Sequence, residues 1–180
     1  MEYLPGQNFK EKLEAIEEAN ETISMELVWE WARQLISAIY TCHEEAKVIH
    51  KDIKPENIML NKQNGITLVD FGLSKCFTGD DDIIDSNNGS VYYFAPEMVR
   101  TGQKNKVIHG KCTDIWAAGI TLFMMATLRH PFESEDMYEL KPKILETEPD
   151  YSVFKSQDAK FVELLKKMLC KDPQHRVTTE

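Results

Sequence analysis

Short apolar runs separated by a polar loop constrain this chain more than any other stretch. Val48-Ile49 and Ile58-Met59-Leu60 flank His50-Lys51-Asp52-Ile53-Lys54-Pro55-Glu56-Asn57, and a further run, Ile66-Thr67-Leu68-Val69, ends in Asp70-Phe71-Gly72. Asn64-Gly65 precedes that last run, and such a pair turns the backbone back on itself, so the two later runs are predicted to pair as a β-hairpin. A hairpin carries Asp52, Asn57 and Asp70 to neighbouring loop ends. Two acids and an amide beside a lysine make a site for a divalent cation and a phosphate. Oxygen ligands suit Mg²⁺, which takes one or two carboxylates together with substrate phosphates.

The remaining pattern is largely helical. Phe9 to Thr22 is acidic, with Leu13, Ile16 and Ala19 on one face; Glu14, Glu17, Glu18 and Glu21 form either its solvated side or an attractor for a basic substrate residue. Ser24 is placed to cap a second helix, in which Val28, Trp31, Ala32, Leu35, Ile36, Ile39 and His43 follow the spacing of a buried face. His43 on that face reads as a structural histidine rather than a ligand. The apolar stretch from Ile115 to Leu128 reads as a buried helix, with Thr113 as its cap and Pro131 closing it. Phe161, Leu164, Leu165, Met168 and Leu169 mark one more amphipathic helix. Asp70 to Glu97 is a long polar segment of the kind that usually serves function. Its acids do not make an EF-hand, because Gly89 falls one place early and no Glu stands at the twelfth position.

Composition narrows the function classes. A chain of 180 residues holds one domain or part of a larger one. A net charge of −9 argues against nucleic-acid and anionic-membrane partners, both of which need a basic face. The four cysteines lie far apart with no Cys-x-x-Cys pair, which argues against zinc. Met1 to Lys10 has no apolar core of a leader, and no apolar run is long enough to span a bilayer. The expectation is an intracellular, cytoplasmic protein with reduced thiols.

The order His50-x-Asp52-x-Lys54-x-x-Asn57, then Asp70-Phe71-Gly72, then Ala95-Pro96-Glu97 resembles the catalytic half of eukaryotic protein kinases. One such string is weak, whereas three in the right order with kinase-like gaps are specific. The resemblance covers nearly the whole chain. It implies a mostly α fold: a protein-kinase-like large (C-terminal) lobe with a short β-hairpin, residues 1–8 as hinge and 9–180 as the lobe. The small N-terminal lobe is expected to be absent, because no glycine-rich loop, strand lysine or partner-Glu helix precedes Met1.

By the same resemblance the nucleotide is ATP and the cation Mg²⁺. Met1 is the gatekeeper, Glu2 and Leu4 meet the adenine through their backbone, Asn8 reaches the ribose, and Met59 lies under the base. Asp52 is the base that orients the substrate hydroxyl, Lys54 neutralises charge on the transferring phosphoryl, and Asn57 and Asp70 hold the metal ions. Asp114 holds the catalytic-loop backbone, and Arg176 pairs with Glu97. Lys54 and Ser90 point to protein Ser/Thr as the substrate. The chain departs from the family pattern at Lys51, which replaces Arg, and at Val91, which replaces Pro. Ser86 stands where many kinases are phosphorylated. Phe77-Thr78-Gly79 with the acids after it, and Gly110 to Ala117, look most like the calcium/calmodulin-dependent kinase kinase branch, which implies calmodulin or another regulator outside this chain. The alternative is a non-catalytic kinase-like binding or scaffold module, since the small lobe is missing.

Overall fold

The computed structural model describes residues 6–84, 88–100, 107–134, 136–155 and 158–179. Asn8 closes the short strand β1 (Gln7–Asn8) and caps α1 (Phe9–Glu18). Its side-chain oxygen accepts from the Glu11 N–H at 2.9 Å while Glu11 reaches back to the Asn8 N–H at 3.2 Å, a reciprocal capping box. Phe9, Leu13 and Ile16 are buried, whereas Ala19 is exposed because the helix has already ended at Glu18. Ser24 caps α2 (Met25–Tyr40) as its hydroxyl position predicts, accepting from the Leu27 N–H. Val28, Trp31, Ala32, Leu35 and Ile39 form the buried stripe, and Ile36 sits at its half-buried edge. The helix runs on into a π-helical turn, Thr41–Glu45, where His43 is fully buried.

β2 (Val48–Ile49) leads into the polar loop, and β3 (Ile58–Leu60) and β4 (Ile66–Leu68) form the expected hairpin in the register Ile58↔Leu68, Met59↔Thr67, Leu60↔Ile66. The left-handed residue of the turn is Asn64, with φ of +60°, and Asn61 stabilises it by accepting from the Gln63 and Gly65 N–H groups at 2.9 Å each. Two bonds tie the hairpin to α2: Trp31 Nε1–H donates to the Asn64 carbonyl, and the Ile66 N–H donates to Gln34 Oε1. β1 adds a third antiparallel strand beside β3, and β2 pairs separately with β5 (Lys75–Cys76). The chain is thus about half helical with two small antiparallel sheets, rather than helical with a single hairpin.

α3 (Pro96–Val99) is one buried turn, and α4 (Gly110–Thr127) is the axis of the fold. Every residue of α4 from Thr113 to Phe123 is buried, the expected state of a helix apolar on all sides. It begins earlier than its sequence suggests: Thr113 lies inside the first turns and returns its hydroxyl to the Gly110 carbonyl at 2.8 Å. It also ends before Pro131, where Leu128 turns left-handed at φ +60°. Ile115, Ala118 and Leu122 pack into one core with α2 and α6 (Ala159–Met168), while Trp116 and Ile120 pack into a second with α3 and α5 (Met137–Glu146). Gly119 permits the close crossing of α4 and α6, since a Cβ there would sit 3.0 Å from Leu169 and Met168 side-chain atoms. α5 carries Pro142 in its middle, and the sequence pattern did not suggest it.

The second core is closed by the expected ion pair. Arg176 forks onto Glu97, Nη1–H to Oε1 at 2.6 Å and Nη2–H to Oε2 at 2.9 Å, and its remaining donors meet the Cys112 and Cys170 carbonyls. Both side chains are nearly free of solvent. Truncating one partner strands the other charge, so Arg176→Met is expected to lose about 3–5 kcal/mol in chemical denaturation. Removing both charges, in Glu97→Leu/Arg176→Met, should lose less than Arg176→Met alone. A single-variant loss below about 1 kcal/mol would remove the ion pair from this account.

A second charged knot joins the end of α2 to α4 and the tail. Glu44 accepts from Lys111 Nζ at 2.9 Å, from the Thr179 hydroxyl at 3.0 Å and from Lys47. Lys111, chiefly through its hydrogen bond, holds the Glu44 carboxyl down to about 2. A depressed carboxyl contributes stability that is present above its unfolded value and lost as pH falls towards its folded one. The contribution of Glu44 should therefore vanish between about pH 4.5 and 2, and Lys111→Met should bring its titration, followed by side-chain NMR, back towards 4.5.

Candidate active site

The site is hung from one buried carboxylate. Asp114, in the second turn of α4 and 1% exposed, accepts from the His50 N–H on Oδ2 and from the Lys51 N–H on Oδ1, each at 2.8 Å. His43 Nε2–H donates to the same Oδ2 at 2.8 Å. The position expected to hold the loop backbone does so, and the histidine expected to be structural serves this carboxylate. Lys51 is thereby held in the left-handed region, with φ of +69°, an unfavourable conformation for a residue bearing a Cβ. Asp52 follows directly on that reversal, its side chain only 11% exposed.

Asp52, Lys54 and Asn57 converge. The Asp52 Oδ2 accepts from Lys54 Nζ at 2.7 Å and from Asn57 Nδ2 at 2.8 Å, and Asn57 Nδ2 also donates to the Asp52 carbonyl at 2.8 Å. Asn57 thus directs its amide N–H bonds at Asp52, which leaves its carbonyl oxygen as the atom suited to a cation. The Val69 N–H donates to the Asn57 backbone carbonyl at 2.9 Å, which leaves the side-chain Oδ1 uninvolved in this bond and joins the loop to the residue before Asp70 through the hairpin. His50 completes the link: Nδ1 accepts from the Asp52 N–H at 3.3 Å and Nε2 bonds the Val69 carbonyl at 3.0 Å, a network that assigns the ring proton to Nε2. The His50 ring also meets the Phe71 ring edge-on, with centroids 4.6 Å apart.

Asp70 is left-handed as well, with φ of +62°, and its carboxylate is exposed; Oδ1 accepts from the Gly72 N–H at 3.2 Å. Among the described residues no three His, Cys, Asp or Glu side chains converge as a metal cage. One carboxylate and one amide oxygen match the few protein ligands that Mg²⁺ takes when phosphates supply the rest of its shell. Asp70 and the Asn57 carbonyl oxygen fit that donor set.

Asn8 and Met59 are the described residues expected to meet the ribose and the base. Asn8 and Met59 are Cα partners across β1 and β3, Asn8 has its oxygen engaged in the α1 cap, and Met59 is half-buried. Phe71 and Leu73 are exposed apolar side chains next to Asp70. Met1, Glu2, Leu4 and Ser86, expected at the hinge and the modification position, lie outside the described residues.

Sequence reasoning missed three residues here. Gly89, at φ +130°, lets the segment cross the loop, since a Cβ there would stand 3.1 Å from the Lys51 carbonyl oxygen. Tyr93 lies beside the loop; burial first, then the negative charges of Glu56 and Asp52, push its phenol up, so it stays protonated, and it donates to Met124 Sδ at 3.6 Å. Asp82 was read as one of several loop acids, yet it is 5% exposed and hydrogen-bonded to His109 and Lys111. Its sequence neighbours, Asp80 and Asp81, give no signal that sets it apart.

The chain is similar in sequence to known proteins. The family model described as protein kinase domain matches residues 1–180. A probable serine/threonine-protein kinase of Dictyostelium discoideum is 35% identical over 98% of this chain and 24% of its own length. CBL-interacting serine/threonine-protein kinase 16 of Arabidopsis thaliana is 33% identical over 99% of this chain and 38% of its own length. Sucrose non-fermenting protein kinase 1 of Fusarium virguliforme is 34% identical over 82% of this chain and 20% of its own length. The chain therefore spans well under half the length of these relatives. With a carboxylate-hung loop and a hairpin joining it to Asp-Phe-Gly, in a chain matched from end to end by that family, this protein belongs to the protein kinase domain family, and serine/threonine kinases are among its relatives.

Proposed function

We propose that residues 1–180 are the hinge and large lobe of a serine/threonine protein kinase, which moves the γ-phosphoryl of ATP to a protein Ser or Thr hydroxyl. The observation that carries this reading is the Asp52 carboxylate, gripped by Asn57 Nδ2 at 2.8 Å and Lys54 Nζ at 2.7 Å. Phosphoryl transfer asks for positioning and charge compensation rather than covalent chemistry, and that is what these groups offer. Asp52 accepts a hydrogen bond from the substrate hydroxyl and aims its oxygen at the γ-phosphorus. A bond forms between them as the bond to the β–γ bridging oxygen breaks, ADP leaves, and the hydroxyl proton passes to Asp52 or water. Lys54 stays beside Asp52 and offsets negative charge on the moving group. The Asn57 side-chain Oδ1 and the Asp70 carboxylate would hold Mg²⁺, which when bound would neutralise phosphate charge. By the family resemblance Glu2 and Leu4 would meet the adenine through their backbone, Asn8 would face the ribose, and Met59 would lie under the base. Within the family we place the chain nearest the calcium/calmodulin-dependent kinase kinase branch, on Phe77-Thr78-Gly79 and Gly110 to Ala117. Calmodulin binding would then belong to sequence outside these residues, and the site of action is the cytoplasm.

The 180 residues carry no glycine-rich loop and no strand lysine to close over the phosphates. Purified as such, the chain should transfer phosphate to a generic basic protein at less than about one-hundredth of the rate it shows once a kinase small lobe is joined at Met1. Robust transfer by the 180-residue chain, lost in Asp52→Ala, would show that the roof is dispensable.

In the two-lobe protein, Asp52→Asn is expected to lower kcat at least about a hundredfold, roughly 2.7 kcal/mol of barrier, with little change in the KM for ATP. Asp70→Asn should raise the KM for ATP and lower kcat together, because a phosphate-bridging cation loses a ligand. Steady-state kinetics separates the two patterns, and unchanged turnover in Asp52→Asn would remove Asp52 from its role.

A further inference from the structure

The segment between Asp70 and Ala95 is fastened to the fold at a point that none of the site residues touches. Asp82 Oδ1 accepts from His109 Nδ1–H at 2.6 Å, and Oδ2 accepts from the Lys111 N–H at 3.0 Å. The Asp82 carbonyl also accepts from the Gly110 N–H at 2.9 Å. Gly110 and Lys111 open α4, whose own preceding residue, His109, makes no side-chain cap. Asp82 therefore supplies, from a remote part of the chain, the capping acceptor that the helix lacks locally. The join extends on both sides. Ile83 and His109 form an isolated antiparallel bridge, the Ile84 N–H donates to the Ile108 carbonyl at 2.9 Å, and Lys75 Nζ donates to the Ile83 carbonyl at 2.7 Å. Phe77 is pinned beside it, its ring approached by Lys47 and Lys111 Nζ at 5.8 and 5.5 Å.

Asp114, which suspends the 50–57 loop, stands one turn further along the same helix. Two separate strips of chain thus hang from adjacent turns of α4: the loop bearing Asp52, and the segment whose far end crosses that loop at Gly89 and continues through Ser90 to Tyr93. A rigid buried helix sets the distance between them. We propose that Asp82 is a positioning residue of the phosphoryl-transfer site: it registers the substrate-facing segment against Asp52 by capping the helix from which Asp52's loop is hung. The contact stands on the geometry alone, and its consequence for catalysis rests on the kinase reading above.

The two are measured separately. In the 180-residue chain, Asp82→Ala is expected to speed amide exchange at Ile84, Gly110 and Lys111 by about tenfold or more, while His50 and Lys51, held by Asp114, stay within about twofold. Asp82→Asn should remain within about threefold of the parent, because an amide oxygen still accepts from Lys111 and its NH₂ can face His109 in the other tautomer. Unchanged exchange in Asp82→Ala, or an equal rise at His50 and Lys51, overturns the proposed register. In the two-lobe protein, Asp82→Ala should raise the KM for protein substrate about tenfold, leave the KM for ATP within about twofold, and be largely rescued by Asp82→Asn. Loosened amides with an unchanged protein-substrate KM overturn the positioning role while the kinase reading stands. An unmutated two-lobe protein without activity overturns the kinase reading itself, and the positioning role with it.

Discussion

The structure depends on the burial of one charge. An ionised carboxylate removed from water is costly unless donors replace the lost hydration. Asp114 has three such donors, and two of them are the backbone N–H groups of His50 and Lys51. An acid suits this position because successive amides pointing the same way need an acceptor with two oxygens on a short stem. The exchange works in both directions: the loop satisfies the charge, and the charge holds Lys51 at a positive φ that an unsupported loop would leave. Asp52 owes its direction to that held turn, and Asn57 and Lys54 then fix its carboxylate.

Around this centre the molecule uses aromatic faces to seat its other buried cations. Trp116 of α4 and Phe132 stack with an interplanar angle of 2°. The Arg176 guanidinium lies 5.1 Å from the Trp116 ring, and Lys171 Nζ lies 4.2 Å from the Phe132 ring. Lys171 also donates to the Ile144 and Thr147 carbonyls at the end of α5, where a helix exposes acceptors and negative potential. Burial first, with the nearby Arg176 charge, pushes its ammonium down to about 8, while the Glu148 carboxylate favours the charged form. The stack therefore binds α4, α5 and the tail into one body, and the Glu97–Arg176 pair closes it.

Elements whose signal is local were legible in the sequence. The α2 stripe, the Ser24 cap, the β3–β4 hairpin and the buried character of α4 each follow from neighbours in the chain. So do the meeting of Asp52 with Asn57 and the hairpin that joins Asn57 to the residue before Asp70. What was not legible depends on distant partners. The start of α4 was placed at Thr113 because no capping residue stands at its true beginning; the capping acceptor is Asp82. Asp82 looked like one more solvated acid, since nothing in its own neighbourhood distinguishes it from Asp80 and Asp81. α5 was hidden by Pro142, a helix breaker by propensity that tertiary packing of Leu140 and Ile144 overrides. Asn8, expected at the ribose, has its side-chain oxygen engaged in the α1 cap, whose reciprocal partner is Glu11.

The same distinction explains why the loop tolerates its departure from the family pattern. Lys51 stands where an Arg is usual, and a lysine is a point charge that cannot fork around an anion. The contact that shapes the loop, however, is made by the Lys51 N–H and not by its side chain. A change of side chain at this position leaves the Asp114 bonds and the turn that aims Asp52 intact. A change at Asp114 removes the acceptor for two backbone amides and one imidazole at once. The conformation of the loop bearing Asp52, Lys54 and Asn57 is therefore encoded one helix away, at Asp114.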